Sequence, residues 1–307
     1  MRKIALGKSN LVVPTVAVGC MRINKCDKKA AESFVRKSIE LGAYFFDHAD
    51  IYGGTVCEEI FADALAAVGA RREEVILQTK CGIVPDKMYD FSKDYIISSV
   101  EGSLRRLKTD YIDILLLHRP DALMEPLEVA EAFEALHASG KVRNFGVSNQ
   151  SPGQIRLLQK FINYPIVANQ LQLSITNASM ITQGMHVNIV DDDYAISRDD
   201  GILDFCRFED ITIQPWSPFQ HGTFKGVFIG NPDFPELNAK LTEMAEKYGV
   251  SETTIIVAWL LRHPAKMQPV TGTMNEARLA DCVKAAEITL SREDWYDLLL
   301  SAGSNLP

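Results

Sequence analysis

The sequence predicts an α/β protein closed into a (β/α)8 barrel of the TIM type, with an N-terminal β-hairpin, an extra C-terminal helix and a single domain over residues 1–307. Three observations carry that expectation. Short apolar, β-rich runs alternate with helical stretches from residue 16 to residue 285, the pattern of a parallel sheet covered by helices. Eight such units can be counted, and eight in one chain favour a closed barrel over an open doubly wound sheet. A length of 307 residues with 47% hydrophobic content suits one barrel of ~250 residues plus extra segments.

The units follow in order. TVAVG (core 16–19) precedes the helical KKAAESFVRKSIELG, and YFFD (44–47) precedes VCEEIFADALAAVG. VILQTK (75–80) precedes DYIISSVEGSLRRLK, and IDILLLH (112–118) precedes LEVAEAFEALHASG. VRNFGVSN (142–149) leads into SPGQIRLLQKFI, where Ser151, Pro152 and Gln154 form a capping box with proline at the first helical position. PIVANQLQL (165–173) is followed by a polar connection, 174–200, without a periodic pattern; loops of that length are usually functional or mobile. ITIQPWSP (211–218) precedes ELNAKLTEMAEKYG, and MQPVTG (267–272) precedes NEARLADCVKAA. The glycines of HASGKV and EKYGV stand where helices should stop. IALGKSNLVV reads as a hairpin around Lys8, Ser9 and Asn10 lying on the barrel bottom. SREDWYDLLLSAG reads as the extra C-terminal helix, capped by Ser291.

Net charge is −8 and the isoelectric point about 5.3, so no basic face for nucleic acid or an anionic membrane is expected. No run approaches the ~20 apolar residues of a membrane span. MRKIALGKSN lacks the apolar run of a signal peptide, and a cytoplasmic location is expected. Cys20, Cys26, Cys57, Cys81, Cys206 and Cys282 are scattered, without a C-x-x-C pair, and are expected to be reduced thiols.

Polar residues that end apolar strands converge on one spot in a barrel. Here these are Asp47, Lys80, His118, Ser148, Asn149, Gln170, Trp216 with Ser217, and Gly272. A metal at Asp47-His48-Ala49-Asp50 is disfavoured. Lys80 would bring an ammonium into the same space, and His48 should point away from Asp47 if the strand continues. Proton transfer fits better. A free phenol has a pKa near ~10, and a lysine beside Tyr52 would pull that down. Asp47 would hold Lys80, and His118 would donate to a substrate oxygen. Such a site moves a proton to or from an alcohol or carbonyl oxygen, and needs a hydride carrier that side chains do not supply. Thr273 and Met274 lie at the start of a helix whose free amides attract phosphate, with Arg278 one turn on. The pocket walls are expected from 174–200, from the loop after Trp216 and from the loop after Cys81; Met88, Tyr89 and Phe91, and likewise Phe219 and Phe224, are candidates either for apolar lining or for packing on the barrel rim.

FFDHADIYG, QTKCG, IDILLLHRPD and KVRNFGVSN, in this order, give the chain a resemblance to the aldo-keto reductases. It resembles in particular a bacterial subgroup of oxidoreductases with DHADIYGG and HRPDxLM. The resemblance runs from about LGKSNLVV to RLADCVKAA. It implies an NADP(H)-dependent reduction of a small-molecule carbonyl substrate. Tyr52 would be the general acid, Lys80 would lower its pKa, Asp47 would pair with Lys80 and His118 would orient the carbonyl. Ser148, Asn149 and Gln170 would bind the nicotinamide carboxamide, and Trp216 would stack on the ring. Ser217, Pro218, Phe219 and neighbours through Gly222 would meet the pyrophosphate. Thr271, Gly272, Thr273 and Arg278 would approach the adenosine end. Two positions depart from the family pattern: Gly272 stands where many members have a lysine on the 2′-phosphate, and Cys282 where many have an asparagine on adenine. Thr273 and Arg278 favour NADP(H); NAD(H) stays open. No strand-adjacent G-x-G-x-x-G occurs, which counts against a Rossmann dehydrogenase. The alternative is an NADPH-binding regulatory or sensor protein with negligible turnover.

Overall fold

Strands buried on both faces hand their side chains alternately to the barrel interior and to the surrounding helices. The computed structural model describes residues 2–223 and 225–307. The expected hairpin forms first, with β1 (Lys3–Ala5) antiparallel to β2 (Val12–Pro14). Then come β3 (Ala17–Gly19), α1 (Lys28–Glu40), β4 (Phe45–Asp47), α2 (Val56–Ala67) and β5 (Ile76–Cys81). A small antiparallel pair, β6 (Ile83–Val84) and β7 (Met88–Tyr89), precedes α3 (Lys93–Leu107). The chain continues through β8 (Ile112–Leu117), α4 (Pro126–Ala138), β9 (Val142–Ser148), α5 (Pro152–Gln159) and β10 (Ile166–Gln172). Next are α6 (Ser179–Thr182), α7 (Ile202–Phe208), β11 (Thr212–Trp216), α8 (Pro235–Tyr248) and α9 (Glu252–Arg262). Last are β12 (Val270–Thr271), α10 (Glu276–Lys284) and α11 (Arg292–Ser301). β3, β4, β5, β8, β9, β10, β11 and β12 pair in that order, all parallel, and β12 pairs back to β3 to close the barrel.

Period-two alternation is visible in the packing. In β4, Phe45 packs inside with Ala17, Ile114, Leu116 and Val270, while Phe46 packs outward with Phe61 of α2. The next inward residue is Asp47. In β8, Ile114 and Leu116 face in and Leu115 and Leu117 face out, so His118 is the next inward residue. The apolar layer is the barrel floor, and the hairpin plugs it from below. Leu6 and Val13 are fully buried in that layer. The Gly7 amide donates to Thr212 Oγ1 at 2.8 Å. Gly7 has φ +51°, and a Cβ there would sit 2.3 Å from the Val167 carbonyl oxygen, so only glycine fits this plug.

The local signals hold. Ser151 and Gln154 form the reciprocal capping box at the head of α5. Gly249 ends α8 in the left-handed region, and Ser291 caps α11 by accepting from the Asp294 amide. Two helices escape a periodicity reading. α9 is buried continuously from Thr254 to Leu260, so no polar face marks its period. α7 is only seven residues and completes the sixth unit after the long connection. α11 docks through Trp295, whose indole stacks on that of Trp259 with centroids 5.0 Å apart and planes 3° apart. Each indole N–H donates to the other residue's carbonyl at 3.0 Å. Among the described residues all six cysteines are free thiols, and no helix is long and apolar enough to cross a membrane.

Candidate active site

Asp47 ends β4, and its register partner in β5 is Gln78, which leaves Lys80 one inward step higher. Lys80 is fully buried. Its Nζ lies 2.8 Å from each Asp47 carboxylate oxygen, 2.7 Å from the His48 carbonyl and 3.2 Å from Tyr52 Oη. Asp47 Oδ1 also accepts from Gln78 Nε2 at 2.6 Å and from Gln170 Nε2 at 3.0 Å. Below it, Gln78 and Gln214 exchange amide hydrogen bonds of 2.9 and 3.0 Å, and Gln214 donates on to Gln268. A buried ion pair needs its remaining lone pairs satisfied, and this glutamine ladder does that. Tyr52 sits in the turn after β4, with its amide on the Ala49 carbonyl and its own carbonyl accepting from the Thr55 and Cys57 amides. The Asp50 amide ties the same turn to the Lys80 carbonyl at 3.0 Å. The His118 ring meets the Tyr52 ring edge-on, with centroids 5.9 Å apart.

The electrostatics correct one expectation. Burial works against the charge on Lys80, but Asp47 and then Tyr52 outweigh it, and its pKa is raised. Lys80 therefore stays an ammonium. Burial pushes the Tyr52 phenol up from its ordinary value; Lys80 pulls it down by charge and hydrogen bond, and Asp47 adds to the rise. The chain by itself thus holds the phenol above its ordinary value, where a net lowering was expected, because desolvation exceeds the lysine's pull. Burial, then Lys80 and Arg119, push His118 well below its usual range, so the imidazole is neutral, and its Nδ1 is buried without a partner among the described residues.

His48 turns outward as its position after Asp47 requires. Its ring meets Phe61 edge-on at 4.5 Å, and burial lowers its pKa to about 3. Asp50 is 7% exposed and its Oδ1 has no hydrogen-bond partner among the described residues. Burial, then the nearby Glu58 carboxylate, raise its pKa from 3.8 to about 7, against Arg106 and hydrogen bonds from Ile51 and Ser99. The native state therefore keeps a proton that the unfolded chain loses between these values. Stability from this group is present below about pH 4 and lost as pH rises towards 7, by up to about 4 kcal/mol. Asp50→Asn should flatten that slope and raise the melting temperature at pH 8, measured by thermal denaturation across pH.

Above the tetrad opens a cleft of about 1240 Å³. Asp47, Tyr52, His118, Ser148, Asn149, Gln170, Trp216, Ser217, Pro218, Phe219, Gly272, Thr273 and Arg278 line it. Three expected site residues are not on its wall. Lys80 is buried below Tyr52. Thr271 is buried, with its hydroxyl 3.4 Å from the Ala17 carbonyl. Gly222 is held by Gln172 through its carbonyl at 2.7 Å. The residues expected at the nicotinamide end are already linked to one another. Asn149 Nδ2 donates to Ser148 Oγ at 2.8 Å, Ser148 Oγ to the Gln170 carbonyl at 2.9 Å, and Trp216 Nε1 to Asn149 Oδ1 at 3.1 Å. Asn149 and Ser217 stand in the left-handed region with φ 57° and 54°, conformations that concentrate at functional sites.

The walls differ from expectation. No described residue of 174–200 lines the cleft. That segment folds onto the C-terminus, where His186 Nε2 lies 3.1 Å from the Asn305 carbonyl and Tyr194 Oη donates to the Gly303 carbonyl at 2.6 Å. Met88 and Tyr89 are exposed, and Phe91 is buried in the core. Phe219 does line the cleft; Phe224 lies outside the described residues. The missing wall comes from Met21, Arg22, Lys25 and Cys26 after β3, and from Ile83 and Arg119. α10 begins at Glu276 with Asn275 as its cap, so Thr273 and Met274 form the lead-in rather than the first turn. Arg278 is the third residue of that helix, its amide held by Asn275 Oδ1 at 3.0 Å.

A closed (β/α)8 barrel whose strand ends gather a buried Asp–Lys pair, a phenol and a neutral imidazole under a long cleft is the frame of an NAD(P)H-dependent oxidoreductase acting on small molecules. The chain belongs to the aldo/keto reductase family, whose family model matches residues 15–298. It is 36% identical to the uncharacterized oxidoreductase YcsN of Bacillus subtilis, with 100% of both chains covered. It is 34% identical to a 6-dehydroglucose reductase of Agrobacterium fabrum, with 97% of each covered. Oxidoreductase YdhF of Escherichia coli is 34% identical over 90% of this chain and 88% of its own. Among solved structures, a thermostable aldo-keto reductase in complex with the inhibitor epalrestat superposes with a TM-score of 0.79 at 25% identity, covering 99% of this chain and 100% of that one. An aldo-keto reductase of Bombyx mori in complex with NADP shares the fold, with a TM-score of 0.76 at 23% identity, over 98% of this chain and 92% of that one.

Proposed function

We propose that this protein reduces an aldehyde or ketone to an alcohol with NADPH, Tyr52 protonating the carbonyl oxygen. The observation that carries this reading is the Tyr52 hydroxyl, 3.2 Å from the Lys80 ammonium, facing the same cleft as His118. The cofactor supplies the hydride. Everything else falls to the chain. Neutral His118 is an N–H donor for the substrate oxygen, which orients the carbonyl beside the phenol. As the oxygen gains charge, Tyr52 gives up its proton, and Lys80 stabilises the phenolate left behind.

The residues present fit a nicotinamide dinucleotide. The cleft exceeds the ~300–1,000 Å³ of ordinary ligand pockets, so it has room for a dinucleotide and a substrate together. Asn149, Ser148 and Gln170 form a linked amide-binding group at one end, beside the Trp216 indole. Gln170 Nε2 is held by Asp47, which leaves its Oε1 for a carboxamide N–H. Thr273 and Arg278 line the same cleft, at the lead-in and third residue of α10, and are read as favouring the 2′-phosphate of NADP(H). The test is NADPH oxidation with a panel of aldehydes, ketones and quinones. Two relatives at 34% and 33% identity are 6-dehydroglucose reductases, which makes a hydroxylated sugar aldehyde the first compound to try. Turnover of at least one carbonyl, faster with NADPH than NADH, is expected. Tight NADPH binding with no turnover on any of them would move the regulatory reading to the front.

A further inference from the structure

Arg22 stands three residues beyond the end of β3, and its side chain reaches across the β3–β12 seam. Its Nη1 donates to the Gly272 carbonyl at 3.1 Å, joining positions 250 residues apart. The guanidinium also fills the space above Gly272, where an added Cβ would lie 2.6 Å from Nη1. Arg22 is half-buried on the cleft wall, and no carboxylate among the described residues pairs with it. A guanidinium placed in this way keeps most of its five donors for a ligand.

Its place along the cleft says which ligand group it meets. Four cations line the wall: Arg22, Lys25, Arg119 and Arg278. Arg119 follows His118 and lies 5.5 Å from the Trp216 ring, at the catalytic end. Arg278 is at the head of α10, the adenosine end, and Lys25 is exposed. Arg22 is tied to Gly272, which stands along the chain between Val270, the register partner of Trp216, and Arg278 of α10. The segment expected opposite it, Ser217–Gln220, is neutral, and the Ser217 hydroxyl is taken up by Gln220 Oε1 at 2.9 Å. The carboxylate on the wall, Asp47, is bound to Lys80. A diphosphate brings two negative charges into this stretch, and a guanidinium beside them offsets that charge more fully than neutral hydroxyls and amides alone once water is displaced.

We propose that Arg22 is the cation that binds the diphosphate of the nicotinamide dinucleotide, held in place by the bare Gly272. The assignment rests on the cofactor reading above. Arg22 replaces no adenosine contact; it acts on the part that NADPH and NADH share.

The test is nucleotide affinity of the purified full chain, read by quenching of tryptophan fluorescence. Arg22→Met should weaken NADPH and NADH alike, each by about tenfold or more, leaving their ratio unchanged. Gly272→Ala leaves the arginine present but shifts its guanidinium, and should weaken both nucleotides in the same sense by a smaller factor. Arg278→Met should instead change the ratio, weakening NADPH selectively. If Arg22→Met weakens NADPH alone, Arg22 serves the 2′-phosphate and the proposal fails. If it weakens neither, with thermal melting showing a folded protein, the proposal also fails. If the Met variant does not fold, Arg22→Lys carries the test: it keeps the charge but not the fork, and an affinity for both nucleotides equal to wild type overturns the assignment. A wild type that binds neither nucleotide overturns the cofactor reading together with it.

Discussion

Tyr52→Phe is expected to cut carbonyl reduction by roughly a hundredfold to ten-thousandfold, the range that a general acid supplies, while NADPH affinity stays within about twofold of wild type. The geometry separates chemistry from structure in this variant. Among the described residues Tyr52 Oη has one hydrogen-bond partner, Lys80, and Lys80 retains both Asp47 oxygens and the His48 carbonyl once the hydroxyl is gone. The melting temperature should therefore barely move. Full activity in the variant, measured as NADPH oxidation on a substrate the wild type reduces, would mean that another group delivers the proton.

Lys80→Met is expected to lose both activity and stability. Asp47 is 2% exposed and would keep only the amide donors of Gln78 and Gln170. Removing one partner of a buried ion pair typically costs about 3–5 kcal/mol, because the remaining charge is left uncompensated. Adding Asp47→Asn removes that charge and should recover part of the stability, read by denaturant melts, without recovering turnover. Equal activity in the single variant and wild type would show that the ammonium plays no part in the proton transfer.

The strand-end positions of the candidate catalytic residues were legible because local periodicity places them. In a strand the side chains alternate, so the apolar YFF and IDILLL also fix the inward direction of Asp47 and His118. The same rule sends His48 outward onto Phe61. Helix caps were legible for a similar reason: Ser151 and Ser291 bond amides only three residues away. α9 was not, since a helix buried along seven successive residues shows no amphipathic period.

By itself, then, the sequence determined the order of the β/α units, whose number favours a barrel, and the inward set of Asp47, Lys80 and His118, all read from patterns that repeat within a few residues. Only the tertiary structure decided the cleft walls, because these depend on reach between segments far apart in the chain. Arg22 meets Gly272 across 250 residues, and 174–200 settles on the C-terminus rather than on the cleft. It also decided the sign of the Tyr52 shift. That sign is the difference between desolvation and the Lys80 charge, and neither has a magnitude until burial and the 3.2 Å separation are known.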